Sequence, residues 1–367
     1  MKIECSQADF SAAISIVSKA VAVRSTATIM QCILITAYDN EIKLTANNNS
    51  LGIETYLNGT IHEEGTIAVD AKRFEEIIHS LNDVQTSIVM TTNDNQAVEI
   101  VGDGVKVDTF GRSGEDFTYL PQIEQENGVE ISQFALKEII RQTIFSTIES
   151  ETNPAMGGEQ FAIKENSLQV SSIDGHRFAL RRINLNDNYE NRSVIVPAKT
   201  LNELMKILKD DDNEIVQLFF SSNHMMFLFD ETTVVTRLIE GEFIDIQRMI
   251  VNDFETTFTV SKKHMQDCMR RAVMISRSGN KKPIIMNISE NSLKIELKTA
   301  ESGLEEEIEI EKQGKNLKIG FNPSFFMDVL NVVEDENVTF YMGDARYPCF
   351  IKNESQTYQY MVLPVNI

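Results

Sequence analysis

The chain has 367 residues, 42% of them apolar, which is enough to bury several cores and too long for a single one. Asp and Glu total 55 against 34 Lys and Arg, and the net charge of −21 excludes indiscriminate adhesion to nucleic acid or anionic membrane. There is no apolar signal segment and no membrane-length apolar run, and the four cysteines (Cys5, Cys32, Cys268, Cys349) form no CxxC pair. A cytoplasmic chain with no membrane contact, metal site or disulfide framework is therefore expected.

A serine- and alanine-rich helix is predicted at 6–21, its basic end running on to 24. Strands follow at 31–37, 42–46 and 52–58, where apolar residues alternate. A second helix covers 71–81, and strands at 86–91, 96–101 and 105–110 complete the pattern. Further helices are predicted at 132–146, 197–209, 261–282 and 322–333. Strands outnumber helices and hairpin spacings dominate, so the class is α+β with antiparallel sheets.

The pattern repeats. Val69-Asp70-Ala71-Lys72-Arg73-Phe74, Val196-Pro197-Ala198-Lys199-Thr200-Leu201 and Phe321-Asn322-Pro323-Ser324-Phe325-Phe326 each pass from an apolar residue through a turn into a helix. Asn40-Glu41-Ile42-Lys43-Leu44, Asn166-Ser167-Leu168-Gln169-Val170 and Asn291-Ser292-Leu293-Lys294-Ile295 are each a turn entering an alternating strand. Phe117 and Phe243 sit in a third matched pair. All three landmarks recur at about 125 residues, which implies three tandem copies of one domain, near 1–124, 125–252 and 253–367.

Charge is unevenly spread. The predicted helices hold sixteen basic and seven acidic residues, a net +9, leaving −30 elsewhere. Lys199 and Lys206 project together, opposite Leu201, Leu204 and Leu208. Lys263, Arg270 and Arg277 form one stripe, opposite Met265, Cys268 and Ala272. A cationic helical layer in an anionic chain would attract a phosphate backbone locally and repel it elsewhere. The candidate contacts to such a backbone are Arg24, Lys137, Arg141, Lys199, Lys206, Lys263, Arg270 and Arg277, to phosphates and without base readout.

No GxxxxGK[ST], GxGxxG, HExxH or GxSxG motif is present, and the five histidines lack ligand spacing. Asp174-Gly175-His176-Arg177 could pair an acid with a base, but no nucleophile stands near it in sequence. The favoured reading is a turn in which Asp174 holds its own backbone and Gly175 takes a positive φ. No catalysis and no cofactor are expected. The run Glu305-Glu306-Glu307, continued by Glu309 and Glu311 and alternating with Ile308 and Ile310, reads as a strand with its carboxylates outward.

Taken together, these features resemble the bacterial DNA polymerase III β subunit family, the sliding clamps. The most specific segments are Asp174-Gly175-His176-Arg177, Leu238-Ile239-Glu240-Gly241-Glu242-Phe243-Ile244-Asp245, Gly320-Phe321-Asn322 leading into Asp328-Val329-Leu330, and Met361-Val362-Leu363-Pro364-Val365. The resemblance implies three clamp domains with sheets outside and helices inside, forming half of a six-domain ring. It implies a processivity factor that encircles duplex DNA as a head-to-tail homodimer and binds DNA polymerase and clamp-loader subunits through short linear motifs. The interface would use Lys72, Arg73, Lys106, Val107, Met274, Ile275, Glu305 and Glu307. The peptide pocket would use Met156, Ile173, Gly175, His176, Arg177, Phe178, Ile244, Arg248, Met249, Phe325, Pro348, Met361, Leu363 and Val365, with His176 and Arg177 at its rim. The alternative is an interaction scaffold with the clamp fold, or an accessory clamp that does not serve the main replicase.

Overall fold

The computed structural model describes residues 1–81, 87–278 and 282–367, with the side chains of Arg277 and Ser278 outside the description. Six α-helices lie among the described residues: α1 (Gln7–Val17), α2 (Ala71–Ser80), α3 (Gln133–Arg141), α4 (Ala198–Leu204), α5 (Lys262–Ser278) and α6 (Pro323–Val332). The chain divides into two compact units. One comprises Met1–Ala135 with Lys199–Leu238, the other Leu136–Ala198 with Ile239–Ile367. The second repeat is therefore shared between them.

The first unit holds two antiparallel sheets. A five-stranded one runs Thr60–Glu63, Lys2–Ser6, Ser87–Thr92, Ala97–Gly102, Val105–Phe110. An eight-stranded one joins repeats one and two, because Leu51–Leu57 pairs with Thr232–Arg237 in a register that sets Ile53 opposite Val234. The second unit also holds two. Its larger sheet joins repeats two and three through Arg177–Pro197 and Tyr358–Val362, with Phe178 opposite Met361. Its smaller sheet runs Gly303–Glu309, Ser292–Lys298, Ile284–Ile288, Leu317–Phe321.

Local chemistry explains the boundaries. Ser6 caps α1 by accepting from the Asp9 amide at 3.0 Å, Asp70 caps α2 through the Arg73 amide at 2.9 Å, and Asn322 caps α6 through the Ser324 amide at 3.0 Å. Pro323 follows Asn322 as the first helical residue, where its missing N–H costs nothing. In Ser292–Lys298, Leu293, Ile295 and Leu297 are buried and the residues between them face outward.

Most helices stop short of their predicted ends. The first gives way to a tighter turn at Ser18–Ala20, so Lys19 and Arg24 lie beyond it. Crowding by the β-branched Ile16, Val17, Val21 and Val23 disfavours a longer helix. In α3, the Thr143 hydroxyl donates back to the Ile139 carbonyl at 2.7 Å and the chain turns at Ile144–Ser146. After α4 the backbone tightens through Leu208, leaving Lys206 and Lys209 past the regular helix. The six helices thus carry ten basic and seven acidic residues, a net +3 rather than +9. The missing cations sit in the segments that follow helices, while Lys281 lies outside the described residues.

The strands Lys2–Ser6, Thr60–Glu63 and Gly65–Asp70 were not anticipated, since each is short or weakly alternating. Thr86, the first residue of a predicted strand, lies outside the described residues, and that strand runs Ser87–Thr92. Extended backbone over Gly158–Ile173 turns back on itself at Glu165, whose φ is +52°. Straight, it would hold Gln160 and Ser171 roughly 36 Å apart. Instead, the Ser171 hydroxyl donates to Gln160 Oε1 at 3.3 Å.

Glu159 faces the interior of this hairpin with no exposure. Burial holds its carboxyl well above the usual carboxylate pKa, and the neighbouring Thr143 hydroxyl is committed to Ile139. Folding therefore favours the neutral form of this group over the ionised one. Its stabilising balance is therefore intact below the unfolded pKa and is lost as pH rises toward the folded one. Glu159→Gln should be the more stable variant at pH 8, with the gap narrowing toward pH 4 by about 1.4 kcal/mol for each pH unit inside that window. Urea unfolding across this range checks it, and a gap independent of pH would contradict it.

Candidate partner-binding site

The turn 174–177 follows the expected chemistry. Asp174 Oδ1 accepts from the His176 and Arg177 amides at 2.9 and 3.1 Å, and Gly175 has φ +85°. His176 is exposed and stacks on Phe325, with ring centroids 6.2 Å apart. Its imidazole makes no hydrogen bond among the described residues, so Asp174 and His176 do not form an acid–base pair.

Arg177 is buried, at 8% exposure, and does not stand at a rim. Its Nε donates to Asp174 Oδ2 at 2.8 Å, one terminal nitrogen to Asp328 Oδ2 at 2.6 Å, and the other to the Phe145 carbonyl at 2.5 Å. The guanidinium plane also lies 4.5 Å from the Phe325 ring centre. Five donors in a rigid fork suit this task, which a lysine could not perform. The result fixes the turn to α6 of the third repeat and to the 3₁₀ turn after α3.

Beside the turn lies an apolar cluster on one face of the larger sheet. Strand register builds its floor: Ile173 sits opposite Phe178, Phe178 opposite Met361, and Met361 opposite Phe350. Leu180 and Ile246 complete the buried part, while Met156, Ile244 and Leu363 are partly exposed around it. Asp245 shapes the approach of the covering segment. It caps the 3₁₀ turn Ile246–Met249 through the Gln247 amide at 3.2 Å and pairs with Arg248 at 3.0 Å. The C-terminal segment is tied down twice, by the Leu363 amide to the His176 carbonyl (2.8 Å) and by the Val365 amide to the Gly320 carbonyl (2.9 Å).

Of the anticipated pocket residues, Met156, Ile173, Phe178, Ile244, Met361 and Leu363 meet in this cluster. Gly175, His176, Arg177 and Phe325 adjoin it through the turn. Arg248 and Met249 point outward and are exposed, while Pro348 and Val365 are not part of the cluster. Sequence reasoning missed Phe350, Leu180, Ile246 and Phe254. Leu180 was accessible from period-2 alternation with Phe178, whereas Phe350 depends on a pairing that no local pattern encodes. Lys352, between the Phe254 and Tyr341 rings at 4.8 and 5.0 Å, has its pKa lowered by desolvation. Among the described residues, no group of three His, Cys, Asp or Glu could hold a metal.

Three profiles of DNA polymerase III β subunit domains match in order: the N-terminal domain over 1–121, the central domain over 130–245 and the C-terminal domain over 247–366. The chain belongs to the DNA polymerase III β subunit family. A solved structure named for that subunit, from Eubacterium rectale ATCC 33656, is 43% identical with a TM-score of 0.97 and full coverage of both chains. The DNA polymerase sliding clamp of Bacillus subtilis is 26% identical with a TM-score of 0.96, covering 100% of this chain and 99% of that one. The Staphylococcus epidermidis beta sliding clamp is 28% identical over 95% of this chain and 94% of its own length. The fold is thus three tandem clamp domains of the α+β class.

In this β-subunit family member, the anticipated DNA-facing cations are placed as follows. Lys263 and Arg270 are exposed on α5, opposite the buried Met265, Cys268 and Ala272. Arg141, Lys206 and Arg270 each pair with an acid three residues earlier, Glu138, Glu203 and Asp267. The Lys206 and Arg270 pairs are exposed and contribute about 0–1 kcal/mol each. Arg24 is exposed in a loop, Lys199 is exposed on α4, and Lys137 is half-buried on α3. The Arg277 side chain lies outside the described residues.

The anticipated interface residues lie on two sheet edges and two helices. Val105–Phe110, with Lys106 and Val107, ends the five-stranded sheet, and Gly303–Glu309, with Glu305 and Glu307, ends the four-stranded one. Lys72 and Arg73 are exposed on α2, Met274 is 68% exposed on α5, and Ile275 is partly buried there. Glu306 departs from the outward expectation, because it faces α5 and binds Arg271 through both oxygens.

Replacing Arg177 by Met leaves Asp174 and Asp328 without their cation and should cost about 3 kcal/mol, as removal of one buried partner does. Urea unfolding measures it, and Arg177→Lys should restore little. A cost below about 0.5 kcal/mol would show that the fork does not fix the turn.

Proposed function

We propose that this sliding clamp acts without catalysis, as a cytoplasmic processivity factor. The observation that supports it best is the ordered match of three β-subunit domains across the chain. No helix among the described residues is long and apolar enough to cross a membrane. The three domains fall near 1–124, 125–252 and 253–367. Two copies join head to tail, the acidic edge Gly303–Glu309 of one beside the edge Val105–Phe110 of the other, with Lys72, Arg73, Met274 and Ile275 nearby.

The closed dimer surrounds duplex DNA. Lys263, Arg270, Lys199, Lys206, Lys137, Arg141, Arg24 and Arg277 face the phosphates. Contacts are to the backbone and so independent of sequence and weakened by salt. Retention then comes from topology, and the ring slides. The cluster around Ile173, Phe178, Ile244, Met361 and Leu363 takes aliphatic and aromatic anchors of a Gln-containing linear motif from polymerase and clamp-loader subunits. Met156 and Met361 suit a site that serves several partners, since thioether chains repack easily.

The test is retention on nicked circular DNA after loading, followed by linearisation. The ring should stay on the circle and leave the linear form. Reversing charge at Lys206 and Arg270 should lower loading or retention several-fold at low salt with unfolding unchanged. Equal retention on circular and linear DNA would favour an interaction scaffold that does not encircle it.

A further inference from the structure

The apolar cluster does not end at Leu180. The same sheet face continues into a groove of about 590 Å³, bounded on its far side by the segment Phe243–Gln247. Strand register explains the continuity. Ile173 and Gln169 lie on one face of one strand, and Phe178, Leu180 and Arg182 on one face of the next, with Gln169 directly opposite Arg182. Phe243, Ile244 and Ile246 touch both regions. One uninterrupted surface therefore passes from apolar to polar and cationic.

Its charge is unbalanced. Arg182 is exposed, and its guanidinium donates to the neutral Gln169 Oε1 at 3.0 Å. Lys164 is exposed and has no hydrogen-bond or ion-pair partner among the described residues. The one carboxylate that lines the groove among the described residues, Asp245, is committed to the Gln247 amide and to Arg248. Two cations thus face a groove whose acid is otherwise engaged, in a chain of net charge −21 where most surfaces repel an acidic segment.

We propose that this groove binds an acidic extended segment flanking the linear motif of a partner, with Arg182 and Lys164 holding its carboxylates. The proposal rests on the reading of the apolar cluster as the motif's anchor site. Arg182 offers a two-pronged donor to a carboxylate and Lys164 a mobile point charge, so the pair favours acidic side chains without demanding one sequence. The segment adds affinity and electrostatic selection to anchors that apolar contact alone discriminates weakly.

The experiment uses the full chain and labelled peptides in fluorescence anisotropy at low and moderate salt. The core peptide is Gln-Leu-Ser-Leu-Phe. It is compared with versions extended by three Glu or three Ser, at either the N- or the C-terminal end. One Glu extension should bind at least fivefold tighter than its Ser counterpart, and salt should erase the gain. Lys164→Glu with Arg182→Glu, both exposed, should abolish the gain and leave the core peptide unchanged. Core binding with no gain from either Glu extension overturns the proposal alone. A gain that survives charge reversal also overturns it. Failure of the core peptide to bind sinks the anchor-site reading and the proposal with it. Reversal that lowers retention on circular DNA while leaving every peptide unaffected would assign the cations to phosphates and overturn the proposal.

Discussion

A β-strand must find partners for its backbone donors and acceptors, and this chain finds many of them across the boundaries of its own repeats. Leu51–Leu57 of the first repeat is completed by Thr232–Arg237 of the second, and Arg177–Pro197 of the second by Tyr358–Val362 of the third. Each junction continues a sheet instead of ending one. Compact units therefore follow the joined sheets and not the sequence repeat. The same logic leaves Val105–Phe110 in the first repeat and Gly303–Glu309 in the third as edge strands.

The second junction also makes the candidate site. Pairing at Phe178–Met361 brings apolar residues from two repeats into one row, and Arg177 then locks the adjoining turn to Asp328 on α6. Asp174, Asp328 and the Phe145 carbonyl converge on a single guanidinium, so the turn is held from three directions. His176 stays exposed beside this fork, its ring stacked on Phe325.

Much of this is legible in the amino-acid pattern alone. The period near 125 residues, the Asx-type turn at Asp174 and the inward faces of α4 and α5 are local patterns, and local patterns survive into the fold. Helix ends are not legible, because Thr143 and the β-branched residues after α1 compete with the helix by means that periodicity does not register. The consequence is an inflated helical charge, with Arg24, Lys206 and Lys209 assigned to helices they lie beyond. Arg177 is misplaced for a different reason. A cation beside an exposed histidine reads as surface, and only the distant Asp328 and the Phe145 carbonyl make its burial tolerable. Phe350 and the polar continuation toward Arg182 depend on long-range register, which a single sequence does not specify.

The central claim is that the edges Val105–Phe110 and Gly303–Glu309 complete each other between copies. Its most direct measurement is sedimentation equilibrium at micromolar concentration, for the wild-type chain and for Asp108→Pro, which removes a backbone donor that points away from the paired strand Ala97–Gly102 at the first-repeat edge. The account predicts a mass about twice 41.5 kDa for the wild type and a shift toward 41.5 kDa for the variant, with each chain still folded. A wild-type chain that remains at 41.5 kDa throughout would contradict it.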